Sequence, residues 1–161
     1  DASVHVHERV PERLVVSLAW FKASQIDFDA RAETVMIAAD TICDVAGTVL
    51  GKPADRLHAK AMLEGMMNRE HHTRTGVCVR NCEGRMLFED STLVRIGVIP
   101  PHDLEAYLDS EEWRGKAGGY NLADRIAAGW PISIEGDPTT VMGLPMARVA
   151  PILRELVARR G

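Results

Sequence analysis

The residues of this sequence best suited to chemistry are one acid and one lysine. Asp40 follows the run Val35-Met36-Ile37-Ala38-Ala39 and precedes Thr41-Ile42, and Lys52 stands between Gly51 and Pro53. A run of apolar and small residues that ends in one acid reads as a buried strand delivering a single carboxylate to its own end. A carboxylate beside an ammonium is the minimum equipment for handling phosphate with a metal ion. The carboxylate holds the metal or orients water, and the ammonium offsets phosphate charge. The plainer alternative is an aspartate that caps a turn, with Lys52 in solvent. These two residues alone do not separate the readings.

The elements that must position them are read from periodicity and punctuation. Pro11 suits a first helical turn. Leu14, Leu18 and Phe21 with Val15 and Ala19 form one apolar stripe, which predicts a helix over 11–24. Lys22 sits at the edge of that stripe, where a lysine ordinarily lies along the core and keeps its ammonium in water. Val4-His5-Val6-His7 alternates as a short strand does, and the polar stretch 24–33 reads as a loop into the central strand. After Lys52, Asp55 caps a helix with Leu57, Ala61, Met62 and Met66 at helical spacing. Residues 73–79 and 85–96 are β-rich and turn at Asn81-Cys82-Glu83-Gly84, a hairpin. Thr75-Gly76 offers a hydroxyl and a backbone open to close approach, by a nucleotide or within a turn. A helix starts at Pro100-Pro101-His102-Asp103 and runs through about Leu108, carrying Leu104, Tyr107 and Leu108 inward. The glycines of Lys116-Ala117-Gly118-Gly119-Tyr120 suit a tight loop. Ile132, Ile134 and Val141 around Gly136-Asp137-Pro138 suggest two late strands, and a last helix runs from Pro145 to about Arg159, kinked or divided by Pro151.

Bulk composition sets limits. With 161 residues and 46% hydrophobic content the chain can build a proper core as one domain over 1–161, and no repeat or linker divides it. A net charge of −4 implies no general affinity for nucleic acid or anionic membranes, so a phosphate ligand needs a local pocket of cations. No apolar run approaches the ~20 residues of a membrane span, and no signal-peptide pattern opens the sequence. Cys43, Cys78 and Cys82 form an odd, sparse set, which argues for reduced thiols and a cytoplasmic setting. Cys78 and Cys82 lack a second ligand pair for zinc. His5, His7, His71 and His72 offer a weaker transition-metal reading.

Five blocks, in order, resemble the Maf family of septum-formation-inhibitor-like nucleotide pyrophosphatases. They are Leu18-Ala19-Trp20-Phe21-Lys22-Ala23, Ala38-Ala39-Asp40-Thr41 with Leu50-Gly51-Lys52-Pro53, Thr75-Gly76-Val77, Lys116-Ala117-Gly118-Gly119-Tyr120, and Val141-Met142-Gly143-Leu144-Pro145. The resemblance covers residues 8 to about 156. It implies an α/β fold with a mixed twisted sheet, elongated and two-lobed around a central cleft, similar to inosine-triphosphate pyrophosphatases and assembled as a homodimer. The implied reaction splits a nucleoside triphosphate between its α- and β-phosphates into monophosphate and pyrophosphate. By resemblance Asp40 is the base, and Asp40 with Glu8 holds a divalent metal, Mg²⁺ or Mn²⁺. Lys22 and Lys52 contact phosphate, Thr41 occupies a position tied to substrate choice, and Thr75, Lys116 and Tyr120 border the nucleotide.

Two departures from the family pattern stand out. The family's "SxSPRR" segment, whose arginines grip the triphosphate, is not in this sequence. The retention of Asp40, Lys22 and Lys52 favours residues missing ahead of it over a degenerate relative. Ala123 takes the place of a family glutamine that reads the base, so a preference for dTTP or UTP does not carry over. The alternative from another class is a non-catalytic nucleotide- or partner-binding protein acting in septum formation and cell-division control.

Overall fold

A computed structural model of the chain describes residues 10–29 and 34–159. Helices α1 (Val10–Ser24), α2 (Arg56–Met66), α3 (Pro101–Asp109), α4 (Leu122–Ala127), α5 (Pro138–Val141) and α6 (Met146–Ala158) surround one sheet. Its strands are β1 (Met36–Val45), β2 (Thr48–Leu50), β3 (Arg69–Asn81), β4 (Gly84–Ile96) and β5 (Ile132–Glu135), in the order β2-β1-β3-β4-β5. Helices alternate with strands as the α/β reading requires. The mixed character narrows to one isolated parallel bridge, Met67 to Ile96, because all four ladders are antiparallel.

The β3–β4 hairpin fixes the register. Asn81 Oδ1 accepts from the amides of Glu83 and Gly84, both at 3.0 Å, so the turn closes on a side chain suited to it. Side chains then alternate between faces. Met36, Ala38, Asp40 and Asp44 share one face with Arg74, Gly76 and Cys78, while Thr41 and Cys43 share the other with Thr73, Thr75 and Val77. On the first face α1 packs Ala19 and Ala23 against Met36, Ala38 and Cys78. On the second face, at the same end, α6 packs Val149 against Val77, Val79 and Phe88. The other end of the second face holds a larger core, where Leu63, Met66, Leu108, Trp113 and Leu122 meet Cys43, Val94 and Ile96. The long strands therefore run through two lobes.

Gly76 decides how close α1 can come. A Cβ there would stand 2.3 Å from the Val15 carbonyl oxygen, so helix backbone lies directly on β3. The close approach expected at Thr75-Gly76 exists, but its partner is α1 rather than a nucleotide.

Four other expectations are corrected. The buried stripe of α1 is Val15, Ala19 and Ala23, and Phe21 is 61% exposed: only small side chains fit against a sheet this near. In α2 the buried residues are Ala59, Leu63 and Met66; of the expected stripe only Met66 is buried, while Leu57 and Ala61 are exposed. After β5 the described residues form no second late strand. Pro138 opens α5, with Asp137 capping it by accepting from the Thr139 amide, a proline-led turn that helix chemistry claims. Pro151 lies inside α6 without dividing it. Helix α4, capped by Asn121, was not foreseen.

Gly76→Ala is expected to lower stability by roughly 3 kcal/mol, since the clash is with backbone that cannot rotate away. Gly65→Ala in α2, where a Cβ meets nothing within 4 Å, should raise it by about 1 kcal/mol. Urea unfolding of the two variants reads both signs.

Candidate functional site

Asp40 does not end its strand. It stands mid-way along β1, and what makes it accessible is the strand's edge. β2 pairs only with Cys43, Asp44 and Val45, so among the described residues the stretch 36–42 has no strand on its outer side. Edge strands leave backbone groups unpaired, and here Lys22 of α1 takes up one of them. Lys22 Nζ donates to the Ala39 carbonyl at 3.1 Å and to Asp40 Oδ1 at 2.8 Å. The Thr41 amide donates to the same Oδ1 at 3.1 Å. Oδ2 is left without a partner among the described residues, and the carboxylate is 24% exposed.

A cleft of about 360 Å³ opens at this edge and draws on both faces of the sheet. From the α1 face come Lys22 and Asp40, and from the other Thr41, Cys43, Thr73 and Tyr120. Lys52, Lys116 and Asn121 arrive on loops, and 141–143 close the rim. Lys52 is carried there by the β1–β2 hairpin, which turns at Ala46 (φ 50°) and Gly47 (φ 84°), both left-handed as a tight hairpin requires. The Gly118 amide donates to the Gly51 carbonyl at 3.0 Å, stitching the Lys52 loop to the Lys116 loop. Gly118 and Gly119 take φ of 69° and 79°, and a Cβ on Gly118 would press on Cys43 Sγ at 3.3 Å.

The lining is divided by charge. Lys22, Lys52 and Lys116 are its cations, and Asp40 is its carboxylate among the described residues. This is a cationic pocket in a chain whose net charge is −4. Such a site attracts a polyanion locally, where the surface as a whole does not. The opposite wall is neutral. Burial, with Asp44 adjacent, pushes the Cys43 thiol up to about 12, so it remains protonated. Burial likewise pushes the Tyr120 hydroxyl upward, and that hydroxyl is 2.7 Å from His71 Nε2. His71 is buried, and burial with neighbouring His72 lowers it to about 4.

The structure thus brings Asp40, Thr41, Lys22, Lys52, Lys116 and Tyr120 into one cleft. Thr75 is not in its wall. It is fully buried behind Thr41, with its Oγ1 2.8 Å from the Thr41 hydroxyl and 2.6 Å from the Thr140 carbonyl. Glu8, His5 and His7 lie outside the described residues. Ala123 is exposed on α4, away from the lining, and Asn121 stands in the cleft instead. Cys43, Thr73 and the 141–143 rim were missed. Cys43 follows Thr41 by one strand period, a signal present in the sequence, whereas Thr73 enters only through its register with Cys43.

Among the described residues no three His, Cys, Asp or Glu side chains form a cage. One cleft carboxylate with a free oxygen suits a hard divalent cation completed by phosphate oxygens and water, the habit of Mg²⁺, rather than an all-protein site.

His71 gives a pH prediction. The imidazole is neutral when folded and takes a proton near pH 6.5 when unfolded, so unfolding gains protons between about 6.5 and about 4. Stability is therefore full above pH 6.5 and falls as pH drops towards 4, by up to roughly 3 kcal/mol. Urea unfolding of wild type and His71→Gln across that range should show a smaller fall in the variant.

The family model described as Maf-like protein matches residues 1–156. A dTTP/UTP pyrophosphatase of Roseobacter denitrificans is 34% identical over 145 residues, covering 90% of this chain and 76% of the relative. One of Symbiobacterium thermophilum is 35% identical over 150 residues, covering 93% and 76%. One of Bordetella parapertussis is 38% identical over 138 residues, covering 84% and 63%.

Proposed function

The chain belongs to the Maf family, and on that premise we propose that it hydrolyses a nucleoside triphosphate between the α- and β-phosphates, releasing monophosphate and pyrophosphate. The observation that carries this reading is Asp40, a partly exposed carboxylate at a strand edge in a cleft lined by three lysines. The names of the relatives support uracil and thymine nucleotides as substrates.

In-line attack on a phosphate needs a positioned water and cations where charge gathers on the phosphate oxygens. Asp40 takes the role of base, with Oδ2 as the oxygen that accepts a proton from the attacking water or orients it. Lys22 holds Oδ1 at 2.8 Å, which fixes the carboxylate's rotation, and with its side chain 53% exposed its ammonium also faces the incoming phosphates. Lys52 and Lys116 approach on stitched loops and offset the remaining charge. Asp40, with Glu8 as a second carboxylate, would hold Mg²⁺ or Mn²⁺, which supplies further neutralisation of the phosphate oxygens. The neutral wall of Thr41, Cys43, Thr73 and Tyr120 receives the nucleoside, whose base carries no charge to be matched. The homodimer implied by the family resemblance is part of the same reading, and light scattering measures it.

Pyrophosphate release from a panel of nucleoside triphosphates with Mg²⁺ or Mn²⁺ tests the reading. Asp40→Asn is expected to lower kcat by about 10²–10⁴ while nucleotide binding survives. Lys52→Met should raise KM more than it lowers kcat if the contact is made equally in ground and transition states. No release from any triphosphate by the wild-type protein overturns the proposal.

A further inference from the structure

We infer that Tyr107 is a positioning residue for the cleft: its hydroxyl holds the Gly119 carbonyl and thereby presents Lys52 and Lys116 to the phosphates as one unit. The inference rests on the nucleotide reading above and adds to it the group that sets the two lysine loops.

Gly118 and Gly119 have no side chains with which to anchor the 117–119 turn, so hydrogen bonds must hold it. The Gly119 amide donates to the Lys116 carbonyl at 3.0 Å, which closes the turn onto one lysine. The Gly118 amide donates to the Gly51 carbonyl at 3.0 Å, which ties the turn to the residue before the other. A Cβ on Gly119 would stand 3.6 Å from Pro53 Cγ, so the residue after Lys52 lies against the same turn. Lys52 is thus bracketed on both sides by the glycines that follow Lys116.

Cys43 beneath Gly118 and the buried Tyr120 ring limit where this turn can lie. Neither fixes how its peptides are rotated, and a peptide next to glycine turns easily. Tyr107 fixes that rotation. Its hydroxyl donates to the Gly119 carbonyl at 2.9 Å from α3, whose inward face is core. The Tyr107 ring is 3% exposed and meets Trp130 edge-on, with centroids 5.0 Å apart. The Arg125 guanidinium lies over it at 4.3 Å and is itself held by Glu112 at 2.6 Å. A ring clamped in this way cannot turn its hydroxyl aside. Burial pushes that hydroxyl up to about 12, so it remains a donor at neutral pH. The Gly119 carbonyl it serves is buried, where loss of the bond strands an acceptor away from water.

Tyr107→Phe keeps the ring and removes only the hydroxyl. In pyrophosphate release from UTP with Mg²⁺ it should raise KM about fivefold or more while kcat moves by less than about twofold, because Asp40 and Lys22 are held by each other on β1 and α1. Calorimetry on the whole chain with the α,β-methylene analogue of UTP should show the same weakening. In a Lys52→Met/Lys116→Met background the further loss should shrink to less than about twofold. A loss of equal size in both backgrounds assigns Tyr107 a merely structural part and overturns the inference. Hydrogen exchange without nucleotide reads the anchor directly. The Gly118 amide should lose protection by about tenfold in Tyr107→Phe while the β3 amides keep theirs. Unchanged protection at Gly118 also overturns the inference, and this readout stands even if no triphosphate is turned over. Gly119→Ala, strained at φ 79°, displaces the same carbonyl and serves where Tyr107→Phe melts too low to measure.

Discussion

The structure depends on the contact between α1 and the sheet at Gly76. Because β3 carries no side chain there, helix backbone comes down onto strand backbone, and the face of α1 that meets the sheet is restricted to Val15, Ala19 and Ala23. That closeness sets the height of the helix over the strand edge. It lets Lys22 reach Ala39 and Asp40 together, so that one ammonium closes an unpaired backbone carbonyl and fixes the Asp40 carboxylate. A bulkier packing layer would lift α1 and leave the edge of β1 bare.

From that edge the cleft follows. A site in the middle of a face would draw residues of one parity only, whereas a site wrapped around an edge draws both. Asp40 and Lys22 thus come from one side and Thr41, Cys43 and Thr73 from the other. This separates charged side chains from neutral ones around a single strand edge. In the proposed reading the phosphates face Lys22 on α1 with Lys52 and Lys116 on loops, and the nucleoside faces Thr41, Cys43 and Thr73 on strands together with Tyr120. The 3.0 Å bond from Gly118 to the Gly51 carbonyl couples the two lysine loops, so neither moves alone.

Much of this was legible in the sequence, and the failures have physical causes. The β3–β4 hairpin could be read because Asn81 and Gly84 are specific to their turn, and α3 because Leu104, Tyr107 and Leu108 leave one choice of face. The stripes of α1 and α2 misled because they were chosen by size of side chain. The sheet admits α1 only through small residues, so Phe21 stays outside while alanines go in. Thr75 was assigned to the cleft from its neighbours in sequence, but strand pairing and α5 bury it. No local pattern records that Thr140, so far along the chain, would lie against it. The cationic wall was visible in Lys22 and Lys52 and, through the family resemblance, in Lys116. What no spacing encodes is the loop-to-loop bond that brings Lys52 and Lys116 together.

The three longest strands have a further consequence. β1, β3 and β4 run without interruption from the α1–α6 lobe into the larger core, and the cleft lies at their waist. Among the described residues the halves are joined by these continuous strands, so narrowing the cleft around a ligand means changing the twist of the ladder. A twist of that kind is shared over many hydrogen bonds, as in a leaf spring, and each bond gives only a little.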